Sequence, residues 1–226
     1  GMRMRAAIAA PQPSPARDAW AQQWYQTTTS YLQYSHQLAM SPTHITARRA
    51  ALPDDVSAVF DEGCVLEHFA SESIQRAAES EKERGHPVRV PSRVDALKGA
   101  QKLFEEALAR DAHHFESRVR LARVRWQLGD ARRAANDLAA FTAGGEGDRE
   151  VRYYAFLFLG GSRWTLGEAS AAAEAYENAL ALFPSAQAAP VGVLLAKPRT
   201  SDENFARVES VLSAASVDRV DPWMDY

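Results

Sequence analysis

The sequence predicts an all-α protein of stacked helical hairpins, and three observations carry that prediction. Gly129, Ala134 and Leu138 recur 38 positions later as Gly167, Ala172 and Tyr176. Ala100, Phe104 and Ala107 stand 34 positions before Ala134, Leu138 and Phe141. A period of about 34 residues is that of a helix–turn–helix unit that cannot bury its apolar face alone and stacks on its neighbours. The third observation is the chemistry of the repeated positions. Ala100, Ala134 and Ala172 let two helices approach closely, and Phe104, Leu138 and Tyr176, four residues on, fill the space between them. A stack of this kind leaves a curved surface free, which is the architecture of a binding scaffold rather than of a catalyst.

The elements follow in chain order. Residues 1–13 are set apart as a disordered stretch or a leader or tag remnant, because Gly1 precedes Met2 and the stretch runs into the proline-rich Pro11 to Pro15. Met2-Arg3-Met4-Arg5 and the run Ala6 to Ala10 have the basic and apolar parts of an export signal, but the apolar part is too short. The cytoplasm is the default compartment, and export stays open if this is a truncated signal. From Ser14, a capping residue followed by Pro15 in the first turn, a helix is expected. Trp20, Trp24, Tyr31 and Leu38 recur along it at helical spacing, with Tyr34 close by, so that face asks to be covered. Packing on the next helix and an aromatic partner surface are both readings of it. Ser41-Pro42 ends the helix.

A second helical stretch opens at Pro53-Asp54-Asp55, where carboxylates favour a helix N-terminus, and runs through Val56, Val59, Phe60, Val65, Leu66 and Phe69. It turns polar from Ser71 to Arg84 and closes at Gly85. His86 to Pro91 holds two prolines and reads as a linker, so residues 86–92 separate an N-terminal helical region, 14–85, from a hairpin array, 93–216. Ser92 with Asp95 is a capping pair for the first helix of the array. Gly129-Asp130 and Gly167-Glu168 supply the left-handed turn between paired helices. Residues 217–226 form an aromatic tail, whose Trp223 either covers the last hairpin or serves as a partner motif.

Leu159-Gly160, Trp164-Thr165-Leu166-Gly167-Glu168, Ala172, Tyr176, Ala179-Leu180, Leu182 and Pro184 together resemble the tetratricopeptide repeat (TPR). The preceding repeat is less regular. Leu121-Ala122, Gly129-Asp130, Ala134 and Leu138 fit, whereas Phe141 stands where the family has alanine and Glu146 replaces the closing proline. Four extra residues around Ala143-Gly144-Gly145-Glu146-Gly147 account for the longer spacing and make a tolerated surface loop. Beyond Pro184, Val193-Leu194 and Ala206 keep the 34-residue offset; Thr200 with Glu203, and Val208, Val211 and Leu212, suit the second helix of a degenerate last hairpin. The resemblance covers residues 93–216 and implies a right-handed superhelix of TPR-like hairpins with an additional N-terminal helical region.

In this family the first helix of each hairpin lines the concave face. The resemblance carries that role to Val119, Arg123, Trp126 and Gln127 in one hairpin, and to Tyr154, Leu157, Gly161, Trp164 and Thr165 in the next. It implies a peptide-binding groove with aromatic character and a basic edge, in which Trp126 and Trp164 occupy the same place in successive hairpins. The alternative is that both tryptophans pack between helices. Members that hold chaperone carboxylate tails use lysines and asparagines here; Val119, Arg123, Leu157 and Gly161 stand in the matching places, which points to an apolar or acidic segment instead.

Other functions find little in the sequence. The 26 Lys and Arg against 29 Asp and Glu give a net charge of -3, with no general attraction for nucleic acid or anionic membranes. No run approaches the roughly 18 apolar residues of a membrane span. A single cysteine, Cys64, excludes an internal disulfide and a zinc site of several thiolates. Cys64 and His68 share a helix face near Asp61 and Glu67, which raises a metal or Cys/His nucleophile reading, but two ligands make no site and packing explains the same letters. His113-His114 falls in an inter-hairpin turn, and Glu105-Glu106 and Glu72 with Glu79 have no pocket to shift a carboxyl pKa. No HExxH, phosphate loop, GxSxG or dinucleotide fingerprint is present. The expectation is a non-catalytic scaffold or adaptor for a protein or peptide partner, without cofactor or metal. A self-associating helical protein, paired through the aromatic N-terminal helix, is one alternative. A small-molecule or metal site between the N-terminal helices and the array is another.

Overall fold

The structure, a computed structural model, describes residues 15–34 and 42–197, together with 205, 206, 209, 210 and 213. The described residues contain ten helices and no strand: α1 (Pro15–Tyr34), α2 (Pro42–Ala51), α3 (Val56–Phe69), α4 (Glu72–Glu83), α5 (Arg93–Arg110), α6 (Phe115–Gln127), α7 (Ala131–Gly144), α8 (Arg149–Thr165), α9 (Ala169–Leu182) and α10 (Ala188–Ala196). The fold class is the expected one, all-α with TPR-like hairpins. The chain divides into two compact units between Ala112 and His113, beyond the 86–92 linker.

In the first unit α1 buries Ala21, Tyr25 and Thr29, and leaves Trp20 and Tyr31 exposed. The expectation that the tryptophan-tyrosine stripe packs on the next helix holds for Trp24, whose ring meets His44 of α2 with centroids 5.8 Å apart, but not for Trp20 and Tyr31. The reason lies in α2, where Arg48 is only 3% exposed and must be satisfied. Its Nε and Nη2 donate to Asp55 Oδ2 at 3.1 and 2.9 Å, and its Nη1 donates to Thr29 Oγ1 at 3.2 Å and to Asp61. A buried guanidinium is tolerated when carboxylates and hydroxyls meet its fork of donors in this way. Bringing Thr29 to Arg48 turns the adjacent stripe of α1 inward. Asp55 also caps α3, accepting from the Ser57 N–H at 3.0 Å through Oδ1. Ser14 and Leu38 lie outside the described residues.

The single stretch expected from Val56 to Arg84 is two helices, broken at Ala70-Ser71. Helix α4 buries only Ala78, in keeping with its charged sequence. Helix α5 starts where the capping pair places it, with the Asp95 N–H on Ser92 Oγ at 3.2 Å and the Ser92 hydroxyl on Asp95 Oδ2 at 2.6 Å. It packs along α3. A methyl group placed on Gly63 of α3 would stand 2.6 Å from the ring of Phe104, which is fully buried. Helices α3 and α5 thus form one hairpin interrupted by α4 and the linker.

The second unit repeats that contact without interruption. Helices α6 and α7 turn at Gly129, and α8 and α9 at Gly167, with φ of +98° and +76°. A methyl on Gly160 of α8 would stand 2.6 Å from the ring of Tyr176 on α9, as Gly63 does from Phe104. Ring follows glycine by 16 residues in this hairpin and by 41 in the interrupted one. Asp130 and Asp148 cap α7 and α8 through the N–H groups of Arg133 and Val151, at 3.2 and 2.9 Å. Phe141, where the family has alanine, is buried against Phe115, with ring centroids 6.0 Å apart. It fills the wedge opened by the longer connection, where Gly145 adopts φ +67° and Glu146 binds Arg118 at 2.7 Å. Of the degenerate last hairpin, α10 buries Ala189, Val193 and Ala196. Thr200, Glu203, Val208, Val211, Leu212 and Trp223 lie outside the described residues.

Gly63→Ala tests the glycine-ring contact. Alanine raises helix propensity by about 1 kcal/mol, yet crowding a fully packed ring costs about 1–3 kcal/mol. A net loss of unfolding free energy in urea is expected; a variant as stable as the parent would show that the contact imposes no constraint.

Candidate functional site

The residues expected to line a groove divide into two groups. Val119, Tyr154 and Leu157 are buried in the core of the second unit, beside Leu138 and Phe158. Their side chains hold hairpins together and are closed to a partner. Arg123, Trp126 and Gln127 are half-buried, and Trp164 is 46% exposed. The Arg123 guanidinium lies over the Phe158 ring, 5.2 Å from its centroid, a cation-π arrangement. Gln127 Oε1 is buried with no hydrogen-bond partner among the described residues.

The two tryptophans share a register but not an environment. The Trp126 ring sits against the backbone of Gly161, where even a methyl group would collide with it. Its Nε1–H donates to Thr165 Oγ1 at 2.9 Å, and that hydroxyl donates to Gly161 O at 3.0 Å. Trp126 is therefore a clamp between α6 and α8. The residue 34 positions beyond Gly161 is Leu195. Leu195 rather than glycine holds that place in the sequence, and both Trp164 and Leu195 are exposed.

A groove of about 590 Å³ opens beside Trp164. Trp164 and the first turn of α9 form one side, with Ser170, Ala173, Glu174 and Glu177 along it. Leu195, Ala196 and Lys197 of the α10 end face them, and Leu195 is 55% exposed. The Lys197 ammonium is paired with Glu177. Tyr176 sets the spacing of these two helices, for its ring fits against Gly160 of α8 and also against Gly192 of α10. The sequence carries the signal for this groove in the replacement of glycine by Leu195 one repeat on, which the weak pattern beyond Pro184 hides.

No family model matches the sequence, and no curated protein does. Solved structures do match. The chain is similar in fold to MamA. MamA 41-end from Desulfovibrio magneticus RS-1 superposes with a TM-score of 0.59 at 15% identity, over 87% of this chain and 98% of that one. The ArsTM double mutant of MamA RS-1 gives 0.59 at 14% identity, over 86% and 96%. MamA MSR-1 C2 gives 0.55 at 14%, over 88% and 99%. At these identities the likeness is one of fold.

The other candidate groups have structural partners. Asp61 is held by Arg48, His68 is exposed, and Cys64 is half-buried. His114 caps α6, its Nδ1 accepting the Ser117 N–H at 3.3 Å. Among the described residues no three His, Cys, Asp or Glu side chains are grouped to hold a metal ion, and no helix is long and apolar enough to cross a membrane.

Burial pushes the Tyr176 phenol up to about 12, against an ordinary value of about 10. The folded state favours the neutral phenol, so its contribution to stability is complete below about pH 10 and is lost as the pH rises towards 12. Urea midpoints at about pH 9 and about pH 11 should therefore fall further for the parent than for Tyr176→Phe. An equal fall would show that Tyr176 ionises as freely as in the unfolded chain.

Proposed function

We propose that the protein is a non-catalytic protein-interaction scaffold that takes a peptide segment of a partner on the hairpin surface around Trp164. The observation that carries this reading is the exposed Trp164 beside an apolar groove, since the matching tryptophan, Trp126, is consumed by Gly161 and Thr165. Tryptophan supplies a large rigid contact area and is among the commonest energetic anchors of interfaces. Arg123 and Gln127, both half-buried, extend the surface along α6. Val119, Tyr154 and Leu157 support this surface from beneath. The fold shared with MamA is consistent with a scaffold.

Selection from a displayed random-peptide library tests the proposal. Peptides that bind the full-length parent should lose about tenfold or more in affinity to Trp164→Ala, whose change at an exposed position leaves helicity in place. Failure to select any peptide, or selected peptides indifferent to the substitution, would overturn it.

A second reading rests on the exposed Trp20 and Tyr31 of α1, which turn one aromatic face to solvent. Pairing of two copies through that face would raise the mass with concentration in sedimentation equilibrium, and Trp20→Ser with Tyr31→Ser would return it to the monomer. A concentration-independent monomer mass for the parent removes this reading.

A further inference from the structure

The groove beside Trp164 holds more negative than positive charge. Helix α9 lines it with Glu174 and Glu177, whereas Lys197 supplies its only cationic side chain among the described residues and is already paired with Glu177. Glu174 is exposed and has no ion-pair partner among the described residues. Around these carboxylates the lining is apolar, with Trp164, Ala173, Leu195 and Ala196. A volume of about 590 Å³ lies in the roughly 300–1,000 Å³ range of sites that take a compact ligand, so the groove admits a few side chains and not a folded domain.

We infer that the groove selects a basic-apolar segment of a partner, in which an arginine or lysine side chain lies beside an aliphatic one. This rests on the peptide-binding reading above. The cation is attracted by the π-face of Trp164 and by the unpaired Glu174 carboxylate, two interactions that act on the same charge. The aliphatic neighbour covers Leu195, Ala173 and Ala196, removing them from water. Charge complementarity sets this occupant against the alternatives. An acidic segment would meet Glu174 and Glu177 with like charge. Residues 214–226 of this chain are such a segment, with Asp218, Asp221 and Asp225 against the single Arg219. The preference is opposite to the acidic segment that Arg123 alone would suggest, because Arg123 is engaged over Phe158 and does not line this groove.

Three fluorescein-labelled nine-residue peptides, alternating leucine with arginine, with glutamine or with glutamate, test the inference by anisotropy on the full-length protein. The arginine peptide should bind about tenfold tighter than the glutamine peptide, with the glutamate peptide weakest. Glu174→Lys should reverse the order of the charged peptides, the conservative Glu174→Gln should narrow the gap, and Trp164→Ala should weaken the arginine peptide about tenfold. Equal binding of the three, or an order unchanged in Glu174→Lys, overturns the charge selection. A free peptide of residues 214–226 that binds more tightly than the arginine peptide and displaces it would seat the chain's own end in the groove, which also overturns the inference. Library peptides that depend on Trp164 but carry no basic residue sink this inference alone and leave the scaffold reading standing. Absence of any selected peptide takes both.

Discussion

An aromatic ring laid on a glycine backbone is the contact on which the rest of this structure depends. In two of the hairpins the close approach is made by one helix offering a position without a side chain and the other filling that position with a ring. Phe104 on Gly63 and Tyr176 on Gly160 do this in the two units. The dispersion gained is spread over many atom pairs and is lost when a single methyl group keeps the ring away. Capping, turn geometry and the alanine stripes all serve to hold the two surfaces at that distance. The buried Arg48 cluster plays a comparable part where α1, α2 and α3 meet, with ionic hydrogen bonds in place of ring packing.

The same contact explains where a binding surface exists and where it does not. Between α6 and α8, Gly161 receives Trp126, and the hydroxyl of Thr165 fixes the indole N–H. One repeat later Leu195 stands in place of the glycine, Trp164 stays in solvent, and the helices on either side leave a groove. Recognition in this reading is a packing interaction left incomplete. The groove inherits its charge from the outward residues of α9, which elsewhere on the helix would face water without consequence.

The helical period, the turn glycines, the Ser92-Asp95 cap and the small residues on the second helices were all legible in the sequence, because each is a local requirement with a fixed spacing. The break between α3 and α4 was not, since Ala70-Ser71 carries no proline or glycine to announce it. Arg48 was equally hidden. Its partners Thr29, Asp55 and Asp61 come from three different elements, and charged residues in a sequence ordinarily read as surface. The partner of α5 was obscured by chain separation, for Gly63 lies too far from Phe104 to fall within one repeat length. The resemblance placed the nine expected groove residues on the first helices of hairpins. It did not divide Val119, Tyr154 and Leu157, which face inward, from Arg123, Trp126, Gln127 and Trp164, which retain access to solvent.

The interruption of the α3/α5 hairpin also carries an entropic cost. Closing a loop costs entropy that grows with the logarithm of its length, so a 41-residue separation costs about 0.8 kcal/mol more than one of 16 before any contact between ring and glycine is made. Contacts close in sequence form early and distant ones late. The uninterrupted hairpins of the second unit therefore close at a lower entropic cost than the α3/α5 pair, whose two helices are held apart in the chain by α4 and the linker.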